Sequence, residues 1–173
     1  GIAKLGETAT LIASLGSDLD GRNLFECLQE NKVDTSGIFM HEDAPSGHAY
    51  VHVQADSESS ISVFGGANAL LTVSQIIEKE ALFAGASCCL LETEIAQPVI
   101  LQTAKIAKKH GLKVIMKPCA ISTIDSNLLQ YTDILVPNQK EAQKLVPQYK
   151  SVEEQADYFY RRGVKTVIIT LAD

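Results

Sequence analysis

Cysteine is scarce in this 173-residue chain, and the four that occur, Cys27, Cys88, Cys89 and Cys119, show no C-x-x-C spacing. Two of them are adjacent and cannot easily bridge each other. A disulfide framework and a zinc site are therefore excluded as organising elements, and the cysteines are expected to be small buried apolar side chains. Like charges never gather into a block of five or six, and the formal net charge of −6 is spread along the sequence. That pattern excludes nucleic acid and an acidic membrane surface as partners. A polyanionic ligand would need local help from a divalent cation or from backbone N–H groups. No apolar run reaches the roughly 18 residues of a transmembrane helix, and the first ten residues lack the architecture of a signal peptide, so the chain reads as cytoplasmic. Repeats and low-complexity linkers are missing too. With 46% hydrophobic and 21% charged residues, the expectation is one ordered domain over 1–173. An initiating methionine is absent and the chain stops directly after an apolar run, so both ends are expected to be cut rather than finished.

What is present is a regular alternation. The run 7–15 is a strand candidate, and a helix capped near Ser17 or Asp18 follows it. Residues 48–54 and 60–64 are β-rich runs joined by the polar segment 55–59, a pattern that predicts a half-exposed hairpin. From Thr72 onward, capping-box spacings (Thr72 with Gln75, Ser151 with Glu154) and Gly stops at Gly111 and Gly163 bound the helices. Apolar runs at 86–91, 113–116, 133–136 and 166–170 alternate with them. Continuous apolar strands between helices predict an α/β fold whose mostly parallel sheet is doubly wound, in three layers.

Open parallel sheets bind ligands at the carboxyl ends of their strands. Four such places carry polar groups: Glu92-Thr93-Glu94, Lys117-Pro118-Cys119, Asn138-Gln139-Lys140-Glu141, and Thr170 with the residues after it. His48 and His52 stand four apart on a strand, about 13 Å, too far to share one zinc ion.

The stretch GSDLDGRNLFECLQENKVDTSGI resembles the G-x-D-x-x-G helix and V-D-T-S-G turn of the ribokinase (PfkB) carbohydrate kinase family. The resemblance continues in order through Gly65-Gly66-Ala67-Asn68, the strand end at Glu92-Thr93-Glu94, Asn138-x-x-Glu141 and GVKTVIITL. It implies a ribokinase-like fold with a small β lid inserted at about 38–64. It also implies phosphoryl transfer from ATP, with Mg²⁺, to a hydroxyl of a sugar or nucleoside-like small molecule. By the same resemblance Glu94 accepts a hydrogen bond from the acceptor, Asn138 and Glu141 position the hydrated Mg²⁺ and the phosphates, and Thr170 faces the nucleotide. Asn138 with Glu141 is at the same time a capping box, and both roles can hold together. The family's Gly-Gly-x-x-x-Asn loop would precede Gly1 and its G-A-G-D motif would follow Asp173, so no catalytic base is expected within 1–173. A homodimer paired through the lid is expected. Two departures stand out. Lys117-Pro118-Cys119-Ala120 replaces the Asn-Pro-Ala-Pro of ribokinases, placing a cation near the acceptor crevice, and Ala172 replaces a glycine. The alternative reading is a non-catalytic ligand-binding or regulatory relative of the same fold.

Overall fold

The computed structural model describes residues 1–53, 59–119 and 121–171. The hairpin connection at 54–58, Ala120 and Ala172 lie outside the described residues. Two compact units divide the chain, Gly1–Leu71 and Thr72–Asp173.

In the first unit, strand β1 (Thr10–Gly16) gives way to helix α1 (Leu19–Glu30) where the Asp18 carboxylate accepts from the Gly21 amide at 2.7 Å. An N-cap of this kind contributes about 1 kcal/mol. The chain returns as β2 (Asp34–His41), parallel to β1. Residues 33–37, expected as a turn, are mostly the first half of β2. The reversal falls instead at Lys32, whose φ is 58°, and the Asp34 amide already donates to Ala9 O at 2.8 Å. The two glycines of the G-x-D-x-x-G stretch are required by close approach rather than by φ. A Cβ on Gly21 would lie 1.9 Å from Gly16 O, and one on Gly16 would lie 2.5 Å from Ala44 O. Buried Ser46 closes this corner, with its hydroxyl accepting from Gly16 N and donating to Asp18 while its amide donates to the second Asp18 oxygen. The Gly21 amide first, then the Ser46 amide and hydroxyl, hold the Asp18 carboxyl down to about 2.

Strands β3 (His48–Val53) and β4 (Ser59–Phe64) form the expected antiparallel hairpin. Its register puts Ala49, Val51, Val53, Ile61 and Val63 on one face, all exposed. On the other face Tyr50 meets Phe64 edge-on, and His48 is tied at the root, its ring nitrogens 2.7 Å from Ser46 O and 2.9 Å from Asp20 Oδ2. Both neighbours accept hydrogen bonds, so they favour the doubly protonated ring and raise the His48 pKa, Asp20 more than Ser46.

The second unit begins with α2 (Val73–Glu78) behind its Thr72/Gln75 capping box. Then follow β5 (Cys88–Glu92), α3 (Gln97–Lys109), β6 (Lys113–Lys117), α4 (Ser126–Gln130), β7 (Ile134–Leu135), α5 (Gln139–Leu145), α6 (Val152–Tyr160) and β8 (Thr166–Val167). The four strands make one parallel sheet in the order β5-β6-β7-β8. Leu91, Val114, Met116 and Leu135 are buried, and the buried stripe Ile100, Thr103, Ala104 and Ala107 belongs to α3, which packs on β5 and β6. Each fully buried aliphatic side chain contributes about 1.5–3 kcal/mol.

At the amino end of this sheet Asp133, 9% exposed, gathers three elements. Its Oδ2 accepts from Lys108 of α3 (2.7 Å) and from the Val114 amide of β6 (2.8 Å), and its Oδ1 from Lys165 ahead of β8 (2.8 Å). Burial pushes the Asp133 carboxyl up, but the two ammonium groups and the amide outweigh it and hold the group well below the usual range. The cysteines correct the expectation of burial: Cys27 and Cys88 are exposed, Cys89 and Cys119 half-buried. Alternation explains Cys88, which lies on the opposite face of β5 from Leu91.

Candidate functional site

The carboxyl ends of β5, β6, β7 and β8 place most of the expected site residues along one edge. Asn138, just after β7, caps α5: its Oδ1 accepts from the Glu141 amide (2.8 Å), and Glu141 Oε2 accepts in return from the Asn138 amide (2.7 Å). Thr170 lies beside it through an isolated parallel bridge, with Gln139 N donating to Thr170 O and Thr170 N to Pro137 O, both at 3.0 Å. The Thr170 side chain is exposed. Lys117, the last residue of β6, directs its ammonium onto Glu141 Oε2.

On the β5 side, buried Thr93 ties two strand ends together, its hydroxyl donating to Cys119 O (2.7 Å) and accepting from Cys119 N (2.6 Å). The Cys119 thiol donates to Glu92 Oε2 at 3.2 Å. Burial, then the Glu92 carboxylate, push this thiol up to about 12, so it stays neutral and is no thiolate nucleophile. Glu94 is exposed and has no hydrogen bond or ion pair among the described residues. Its carboxylate is thus free to accept. Sequence reasoning named Glu94, Asn138, Glu141 and Thr170, and missed the Thr93 staple and the Glu92–Cys119 bond. Their signal was position alone, a hydroxyl and a carboxylate directly after an apolar strand.

The donor set bears on Mg²⁺. Asn138 Oδ1 is committed to Glu141 N, and Glu141 Oε2 to Asn138 N and Lys117. Glu141 Oε1 is the oxygen left over. That suits a contact to the waters of a hydrated Mg²⁺, which keeps several of them, and not a protein cage. No group of three or more His, Cys, Asp or Glu able to hold a metal occurs among the described residues. Within the second unit a surface depression lined by Tyr149, Tyr158 and Arg162 with their neighbours includes none of these strand-end residues.

The carboxyl edge of a parallel α/β sheet, where Asn138, Glu141 and Thr170 stand side by side, is the place at which sheets of this kind bind their ligands. The chain belongs to the pfkB family of carbohydrate kinases, whose model matches residues 1–173. It is 32% identical to a ribokinase of Staphylococcus aureus over 98% of this chain and 57% of that protein, and 32% identical to a ribokinase of Haemophilus influenzae over 98% and 56%. Among solved structures, Arabidopsis thaliana ribokinase complexed with ribose and ATP superimposes with a TM-score of 0.87 at 29% identity, over 98% of this chain and 57% of that one. The fold is therefore ribokinase-like, as the family resemblance implied. The chain spans a little over half the length of the curated relatives it matches.

Proposed function

We propose that the protein transfers a phosphoryl group from ATP, with Mg²⁺, to a hydroxyl of a sugar or sugar-like small molecule. The observation that carries this reading is the juxtaposition of Asn138, Glu141 and Thr170 at one strand-end edge in a pfkB-family chain. In this reading Asn138 and Glu141 orient the hydrated cation and the phosphates, Thr170 offers a hydroxyl to the nucleotide, and Glu94 accepts from the acceptor. The catalytic base lies outside 1–173. Because Glu141 holds the Lys117 ammonium, Glu92 and Glu94 set the charge on the β5 side of the edge, which favours a neutral polyhydroxylated acceptor over a carboxylate or phosphate ester. An ATP-dependent reaction suits a cytoplasmic protein. No helix among the described residues is long and apolar enough to cross a membrane.

We further propose a homodimer joined through the lid hairpin. Val51, Val53, Ile61 and Val63 expose an apolar face that a two-stranded hairpin cannot cover by itself. Light scattering on the full-length protein is expected to give twice the protomer mass, and Ile61→Lys to halve it; a monomeric parent protein sinks the dimer. The activity is tested by sugar-dependent ADP production, after a thermal-shift panel of sugars and nucleosides has chosen the acceptors. Nucleotide binding without ADP production on any stabilising acceptor would establish the non-catalytic reading instead.

A further inference from the structure

The cation at the head of β6 is unusually placed. Lys117 is 32% exposed and Glu141 21% exposed at the side chain, so the pair is partly withdrawn from water. The carboxylate it occupies belongs to the motif assigned to the Mg²⁺ and phosphates. Glu141 offers two oxygens, and Oε2 is already saturated by the Asn138 amide and the Lys117 ammonium. A half-buried ammonium seated on a carboxylate cancels most of the charge that would draw a second cation. Among the described residues no second carboxylate holds Lys117: the neighbouring strand end contributes Glu92, which is turned to the Cys119 thiol, and Glu94, which is unpaired.

We infer that Lys117 is a positioning residue that sets the Mg²⁺ demand of this site, by competing with the hydrated cation for the Glu141 carboxylate. The inference rests on the proposed role of Glu141. Linkage makes the competition reciprocal: removing the ammonium tightens Mg²⁺, and Mg²⁺ loosens the ammonium by the same factor. An ion pair of this exposure corresponds to a roughly two- to fivefold change in cation affinity.

The test uses full-length protein. The Mg²⁺ concentration giving half of the Mg²⁺-dependent thermal shift is measured without nucleotide and with a saturating non-hydrolysable ATP analogue, alongside the Mg²⁺ dependence of turnover. Lys117→Asn is expected to lower these midpoints roughly two- to fivefold, while Lys117→Arg keeps them near the parent values. A midpoint that is unchanged in Lys117→Asn overturns the inference. One that rises, with weaker Mg²⁺-free nucleotide binding, also overturns it and makes Lys117 a phosphate contact. A second readout needs no variant, since the rate of Lys117 acylation, followed by mass spectrometry on the unmutated protein, should increase with Mg²⁺. A flat rate refutes the competition even if Lys117→Asn fails to fold. Clear Mg²⁺ midpoints in a protein that phosphorylates no sugar defeat the functional reading and leave the competition decided by binding, whereas the absence of any Mg²⁺ effect defeats the competition.

Discussion

Replacing Asp133 by alanine removes the acceptor that joins α3, β6 and the approach to β8, and the structure sets the size of the loss. The Val114 amide is buried and loses its hydrogen bond to the carboxylate, at about 1–3 kcal/mol. Lys108 and Lys165 are 32% and 73% exposed and can return to water, so each lost charge-assisted bond adds only about 0.5 kcal/mol. The total, about 2–4 kcal/mol, lowers the Tm by roughly 4–16 °C for a chain of this size. Asp133→Asn keeps an oxygen for the Val114 amide and should lose about half as much. The pH dependence separates charge from shape. A carboxyl whose folded pKa lies below its ordinary value of 3.8 stabilises fully above that value, and the contribution fades as the pH falls through the lower folded pKa. Urea unfolding of the parent protein and Asp133→Asn, followed by circular dichroism from pH 7 to pH 2, should therefore show a gap that is constant down to about pH 4 and closes below it. A gap that stays flat to pH 2, or an alanine variant within about 0.5 kcal/mol of the parent, refutes the assignment of this carboxylate as an ionic clasp.

Glu94→Ala is expected to weaken acceptor binding by about 1.5–3 kcal/mol while leaving ATP nearly untouched; calorimetry showing equal losses for both ligands would point to a folding defect. Glu141→Gln should lower turnover at limiting Mg²⁺ and recover part of it in excess Mg²⁺, and identical kinetics at every Mg²⁺ concentration would leave only the helix cap. Imidazole ¹⁵N titration should place the His48 midpoint above its ordinary 6.5 and bring it down again in Asp20→Asn. The hairpin root is then steadied by His48 below that ordinary value, and the contribution is lost as the pH rises through the raised one; a midpoint at or below 6.5 contradicts this.

Elements bounded by local chemistry were readable before the structure. The three capping boxes at Thr72, Asn138 and Ser151 all form, because each needs only two side chains three residues apart. The hairpin was readable from its two β-rich runs, and the structure adds its register. The turn that the family resemblance implied at 33–37 is mostly the first half of β2, because pairing to Ala9, invisible in a local window, extends the strand through it. The same limit governed the site. Residues following strands could be named one by one, yet the seating of Lys117 on Glu141, 24 positions away, depends on two neighbouring strand ends meeting. A substitution that reads as a new charge for the acceptor is, in space, a partner for a motif carboxylate.

The Asp133 clasp and the candidate site occupy opposite ends of the same strands. β6 runs from Lys113 to Lys117, about 13 Å of extended chain, longer than the roughly 8 Å over which charges interact at physiological salt. The two charge clusters share no hydrogen bond or ion pair among the described residues. If the proposed roles hold, a mutational library should show variants at Glu94 and Lys117 changing acceptor preference and cation demand, variants at Asp133, Lys108 and Lys165 changing abundance, and variants at Glu141, which also caps α5, changing both. Selections for activity and for abundance should accordingly enrich two sets of positions along one sheet that overlap at Glu141.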